Sequence, residues 1–159
     1  MKDFVFDADV LSTFAKVNKL GLLKKVFGKS KLLIPPAVVN DLKRSKTFSV
    51  QSILNSKLFL QIHLNPEEIK LKGKIGRQKS LGQGEIECIT VCKARGAGFV
   101  TNDSQAINFA EKMEVDVVDL ETILNFLKSI LNRKELRQLI NDIESKDRVL
   151  IVNKEKILS

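Results

Sequence analysis

The chain has 159 residues, 43% of them hydrophobic, with 27 Lys and Arg against 19 Asp and Glu and a formal net charge of +8. A chain of this length makes one domain that buries roughly 70% of the surface its unfolded form exposes, which excludes disorder and removes the need for disulfides or a structural metal. The single His63 excludes sites built on two imidazoles and, with Cys88 and Cys92, leaves too few soft ligands for a structural zinc.

Phe4-Val5-Phe6 is an apolar run bounded by Asp7, and Val10, Leu11, Phe14 and Val17 then recur at three- and four-residue steps, so the chain opens as strand then helix. Leu20 to Phe27 is a second helical patch ending at Gly28, and Leu32-Leu33-Ile34 is a strand stopped by Pro35-Pro36. Ala37 to Arg44 is a helix entered through proline, and residues 48–55 form one more. Leu58 to Leu64 reads as a strand closed by Pro66, Glu67-Glu68 opens a short helix, and Lys70 to Gly84, basic and glycine-containing, reads as a loop. Glu85 to Arg95 is helical and places Cys88 and Cys92, spaced i,i+4, on one face, as reduced core thiols suited to a reducing cytoplasm. Phe99-Val100-Thr101 is a strand, Ser104 to Lys112 a helix, Val115 to Val118 a strand, and Leu120 to Asn132 and Glu135 to Ser145 are helices; the last ten residues have no clear period.

Strands and helices alternate through the first 120 residues, the pattern of a three-layer α/β/α domain with a central parallel sheet of about five strands. The expected division is residues 1–125 for this domain and 126–159 for a helical extension packed on it. The longest apolar stretch, Leu32 to Val39, contains two prolines and is less than half the ~20 residues a bilayer crossing needs. With no signal-peptide pattern after Met1, a soluble, cytoplasmic protein without membrane contact is expected.

The positive charge is concentrated. Residues 16–79 hold 15 Lys and Arg against Asp41, Glu67 and Glu68, a net of +12, while the segments on either side are each −2. Clusters at Lys43, Arg44 and Lys46 and at Lys70, Lys72, Lys74, Arg77 and Lys79 suit a polyanion such as nucleic acid, or a surface that is simply well solvated. Trp and Tyr are absent and most of the nine Phe lie in apolar periodic runs, so stacking platforms are not evident.

Four carboxylates fall near the binding edge of such a fold. Asp7 follows the first strand, Asp103 follows Phe99–Thr101, Glu85 starts the helix leading into that strand, and Asp41 lies about one turn beyond Pro35-Pro36. If the first strand neighbours Phe99–Thr101, Asp7 and Asp103 approach each other, and carboxylates so placed need raised pKa values or a neutralising cation. An all-oxygen site prefers Mg2+ or Mn2+, and without histidine such a metal has to supply the activated water and stabilise the charged transition state of phosphodiester hydrolysis. Each acid also has a structural reading: Asp7, Asp9 and Asp103 as helix caps, Glu85 as a partner of the helix dipole, and Asp41 as an exposed residue paired with a lysine. The glycines Gly82-Gln83-Gly84 lack the third glycine and preceding strand of a dinucleotide site.

These residues resemble the PIN-domain ribonucleases, the family that includes VapC-like toxins of toxin–antitoxin pairs. Val5 to Leu11 is similar to the family's first acidic motif, Ile34 to Leu42 to its Pro-x-x-Val-x-x-Glu-Leu motif, Leu81 to Ile89 to the Gly-Glu helix start of one subgroup, and Thr101-Asn102-Asp103 to its Thr-x-Asp strand end. The resemblance covers about residues 3–125 and implies Asp7, Asp41, Glu85 and Asp103 as catalytic acids, with Asp7, Glu85 and Asp103 on the metal. It further implies Asp9 as an auxiliary ligand and Thr101 as a supporting hydroxyl, and the basic stretch is then expected to hold the RNA through Lys43, Arg44, Lys46, Lys72, Lys74, Arg77 and Lys79. A 5′-phosphate product, an antitoxin covering the acidic site with an Arg, and a homodimer are implied as well. Asp41 stands where the family usually has Glu, one methylene longer, and Glu87 competes with Glu85, since two residues two apart on a helix do not point into one site. Two other readings remain: a PIN-fold RNA-binding or RNA-processing protein that does not cut, and an α/β domain for a small molecule, whose binding would not vary with salt.

Overall fold

Val5, Phe6, Leu32, Leu33, Ile34, Phe99 and Val100 are all buried, as central strands of a parallel sheet must be when helices cover both faces. In the computed structural model, which describes residues 1–77 and 80–159, the strands are β1 (Phe4–Phe6), β2 (Leu32–Ile34), β3 (Leu60–Gln61), β4 (Gly98–Val100) and β5 (Val117–Val118). Around them lie α1 (Ala8–Lys16), α2 (Leu20–Phe27), α3 (Pro36–Lys43), α4 (Val50–Leu54), α5 (Pro66–Ile75), α6 (Gln83–Arg95), α7 (Ser104–Lys112), α8 (Leu120–Leu127), α9 (Arg133–Lys146) and α10 (Lys154–Leu158). The sheet is parallel throughout, in the order β3-β2-β1-β4-β5, so the expected layered α/β architecture with five strands is present.

The position of β1 decides where a ligand can bind. It pairs with β2 on one side and β4 on the other, with Val5 opposite Leu33 and Phe6 opposite Val100. The winding reverses at β1, and a parallel sheet opens a crevice at the carboxyl ends of the strands flanking such a reversal. The close pairing of β1 with β4 depends on Gly98, where a Cβ would stand 2.7 Å from the Phe4 ring. Beneath the crevice the Phe6 ring meets Phe27 and Phe59 edge-on, at centroid distances of 5.3 and 5.5 Å. Helix α6 is buried along most of its length, through Ile86, Cys88, Ile89, Val91 and Cys92. Both cysteines are free, and burial pushes both thiols up, so they behave as core side chains.

The elements depart from the sequence expectation in three places. The stretch read as a loop from Lys70 is helical as far as Ile75, because Asn65 and Glu68 cap each other's backbone and the helix continues through an exposed Gly73. The strand expected over Leu58–Leu64 shrinks to Leu60–Gln61, the part that finds β2 as a neighbour. The helix expected over Leu120–Asn132 stops at Leu127, and Asn132 with Glu135 forms a new capping box that starts α9. The aperiodic tail ends in α10. Asp147, just past α9, accepts the Lys16 ammonium at 2.7 Å and the Thr13 hydroxyl, which fastens the end of α9 to α1. Among the described residues no helix is long and apolar enough to cross a membrane.

Candidate functional site

The pairing of Phe6 with Val100 sets Asp7 and Thr101 side by side at the ends of β1 and β4, where the Asp7 amide donates to the Val100 carbonyl at 2.9 Å. Asp7 is 6% exposed; its Oδ1 accepts the Ala8 amide at 2.8 Å and its Oδ2 the Thr101 hydroxyl at 2.9 Å. Asp9, one residue into α1, turns back to the same edge and accepts the Asn102 amide at 2.9 Å through Oδ2 and the Val10 amide at 2.7 Å through Oδ1. Asp103 caps α7 by accepting the Ala106 amide at 2.9 Å, and its side chain is exposed.

Glu85 lies in the first turn of α6. Its Oε1 accepts the Gly82 amide at 3.0 Å, closing one half of a capping box, while its Oε2 is buried without a hydrogen-bond partner. Asp41, on α3, pairs with Arg44 one turn along the same helix. It rests against Gly84, where a Cβ would stand 2.6 Å from the Asp41 Oδ2 and 3.4 Å from Val38. A residue with any side chain at position 84 would displace the Asp41 carboxylate.

The electrostatics bind these acids into one group. Burial, reinforced by the neighbouring Asp9, raises Asp7 to about 7, against the Thr101 and Ala8 hydrogen bonds that pull it down. Burial raises Asp9 to about 6, with Asp103 and Glu85 adding to the rise. Glu85 is raised by burial first, then by Asp7, Asp103 and Asp41. The charge of Asp103 thus reaches Asp7, Asp9 and Glu85, and that of Asp41 reaches Glu85. Among the described residues no group of three or more His, Cys, Asp or Glu side chains lies close enough together to hold a metal ion. The donor set nevertheless fits a hard divalent cation: it is all oxygen, and one buried oxygen, Glu85 Oε2, lacks a donor.

The rivalry between Glu85 and Glu87 has a geometric answer. Glu87 faces away from the other acids: its Oε1 accepts the Ala37 amide at the start of α3 at 2.8 Å, and its Oε2 accepts the Lys72 ammonium at 2.7 Å. Lys72, read as RNA-facing, is thus committed to a partner with 8% side-chain exposure, and Arg44 is committed to Asp41. Lys43, Lys46, Lys74 and Arg77 are exposed, and Lys79 lies outside the described residues. A cavity of about 380 Å3 opens between α1 and α3 beside Asp9 and Asp41, with Ser12, Lys16, Arg44 and Phe48 on its walls. The sequence reading missed the amides of Gly82 and Asn102, which hold Glu85 and Asp9; backbone donors leave no mark in residue identity.

The family model described as PIN domain matches residues 3–154. No curated protein matches the chain. Among solved structures, the fold is similar to a PilT N-terminus domain protein from the archaeon Sulfolobus solfataricus, at 21% identity and a TM-score of 0.53 over 81% of this chain and 93% of that one. It is likewise similar to VapBC2 from Rickettsia felis, solved bound to a DNA fragment from its promoter, at 18% identity and a TM-score of 0.53 over 73% of this chain and 97% of that one. With β1 at the reversal of a five-stranded parallel sheet and a family match over nearly the whole chain, this protein belongs to the PIN domain family.

Proposed function

We propose that the chain is an endoribonuclease that hydrolyses RNA phosphodiester bonds at a carboxylate-held Mg2+ or Mn2+. The observation that carries this reading is Glu85 Oε2, a buried oxygen without a donor, in a crevice it shares with Asp7, Asp103 and Asp41. Asp7, Glu85 and Asp103 would hold the cation, with Asp9 and Asp41 beside them, and the cation would supply water activation and charge neutralisation at the phosphorus. The chain's own part is positioning. The Thr101 hydroxyl fixes Asp7, the Asn102 amide fixes Asp9, and the Gly82 amide anchors one Glu85 oxygen so that the other stays aimed inward. Exposed cations on α3 and α5 hold the anionic strand next to this edge.

The likeness to VapBC2 supports a toxin of a toxin–antitoxin pair, with an antitoxin as partner. A homodimer and a cytoplasmic location belong to the same reading. A second reading, an RNA binder that does not cut, is favoured by one observation: Asp41 is shorter than the family's usual Glu and is already paired with Arg44.

Cleavage of a labelled RNA with Mn2+ separates the two. The wild type cuts, EDTA abolishes cutting, and Asp7→Asn lowers the rate by about a hundredfold or more, since a bound metal contributes several kcal/mol to such a reaction. Equal rates for wild type and Asp7→Asn would end the ribonuclease assignment. Tight binding without turnover in either metal, unrelieved by Asp41→Glu, would favour the second reading.

A further inference from the structure

Helix α5 carries two stripes at helical spacing, an inward one at i, i+4 and i+7 and an outward one at i and i+4 that Arg77 follows just past the helix end. Glu68, Lys72 and Ile75 turn inward. Glu68 is 1% exposed and accepts two hydrogen bonds from Arg95, at 2.7 and 3.0 Å, while Lys72 donates to Glu87 at 2.7 Å and Ile75 enters the core. Lys70, Lys74 and Arg77 turn outward; all three are exposed, and among the described residues no carboxylate pairs with them.

The inward contacts also set the direction of the helix. The start of α5, through Glu68, meets the end of α6 at Arg95, and the later Lys72 meets Glu87 near the start of α6. The two helices are antiparallel, so the outward stripe leads toward the end of α6 that carries Glu85. A rise of 1.5 Å per residue sets Lys70 and Lys74 about 6 Å apart along the axis, and Arg77 follows in the turn after the helix. Two ion pairs to one helix hold this row of cations at a fixed angle to the acid crevice.

We propose that Lys70, Lys74 and Arg77 form the surface that grips the phosphate backbone of single-stranded RNA and leads it to the acids, and that Lys72 is a positioning residue that clamps α5 to α6. The ligand class rests on the ribonuclease reading, but the grip does not require cleavage. Lysines that lie within five residues in the sequence thereby have different jobs.

The test is binding of a fluorescent single-stranded oligoribonucleotide to the full chain in EDTA over a salt series. Each single-strand phosphate contact adds about 0.7 to the slope of log affinity against log salt. Lys70→Ala, Lys74→Ala and Arg77→Ala are each expected to lower that slope by about 0.7, and the triple variant by about 2. Lys72→Gln is expected to keep the slope and lower the urea midpoint, and Lys72→Arg to keep both. A triple variant with the wild-type slope, a Lys72→Gln slope as low as that of Lys74→Ala, or a wild type whose RNA binding ignores salt overturns the proposal. RNA gripped in this way but left uncut with Mn2+ supports the stripe and removes the ribonuclease reading alone.

Discussion

Glu85 and Glu87 are two residues apart on one buried helix and meet opposite treatment. Glu87 has a cation on one oxygen and a backbone amide on the other, so its charge is matched where it is buried. Glu85 has one amide and a bare oxygen, and its surroundings are other acids. The same contrast separates Glu68, held below the usual carboxylate range by Arg95, from Asp7, pushed up to about 7. Paired carboxylates hold α3, α5 and α6 together. Unpaired ones gather where β1 and β4 end, at a cost in stability for as long as they are charged.

The sharpest way to break this comparison is to remove one member of each kind and read stability. Glu87→Ala strands the half-buried Lys72 and the Ala37 amide, and is expected to cost about 3 kcal/mol in urea denaturation. Asp7→Asn should move the other way in EDTA, gaining about 2 kcal/mol at neutral pH. A loss for Asp7→Asn comparable to that for Glu87→Ala would erase the distinction.

The dependence on pH sharpens it further. Asp7 and Asp9 hold protons more tightly in the folded protein, at about 7 and about 6, than an ordinary aspartate does at 3.8. Their contribution is therefore fully present below pH 4 and lost as pH rises to about 7, so the metal-free protein should lose stability across that window. Glu68 works in the opposite sense, adding stability above pH 4.5 that disappears only as pH falls through its lowered value. Thermal melts from pH 4 to 7 in EDTA, with Asp7→Asn flattening the decline and Mn2+ at pH 7 reversing it, would verify the assignment; a wild-type melt unchanged by Asp7→Asn would refute it. The smallest stability effect is expected at Gly84. Alanine there pushes the Asp41 carboxylate aside, lowering RNA cleavage about tenfold while changing stability by no more than about 1 kcal/mol.

Much of this was open to reading from the residues. The strands around Phe4, Leu32 and Phe99 announce themselves as apolar runs ended by Asp, Pro or Thr, and Asp7 and Asp103 stand at the ends of two of them. Asp7 and Asp103 cap helices in the structure, as their structural reading expects, and the same placement leaves them at the carboxyl ends of β1 and β4, where the proposed function needs them. The second half of helix α5 was hidden because its composition is basic and contains Gly73, and because the apolar stripe that marks a helix is replaced by partners on another element. The bond from Lys72 to Glu87 joins residues 15 apart that belong to different helices, and no spacing rule reports such a pair. For the same reason sequence alone left the choice between Glu85 and Glu87 open.

The bond from Thr101 to Asp7 closes a loop of 94 residues. Loop closure on that scale comes late in folding, after local helices and the neighbouring β1–β2 pair have formed. During synthesis the basic segment emerges well before residues 101 to 103, so an incomplete chain has its concentrated positive charge without the assembled acids. The crevice therefore needs nearly two thirds of the chain, since it forms only once β4 stands beside β1.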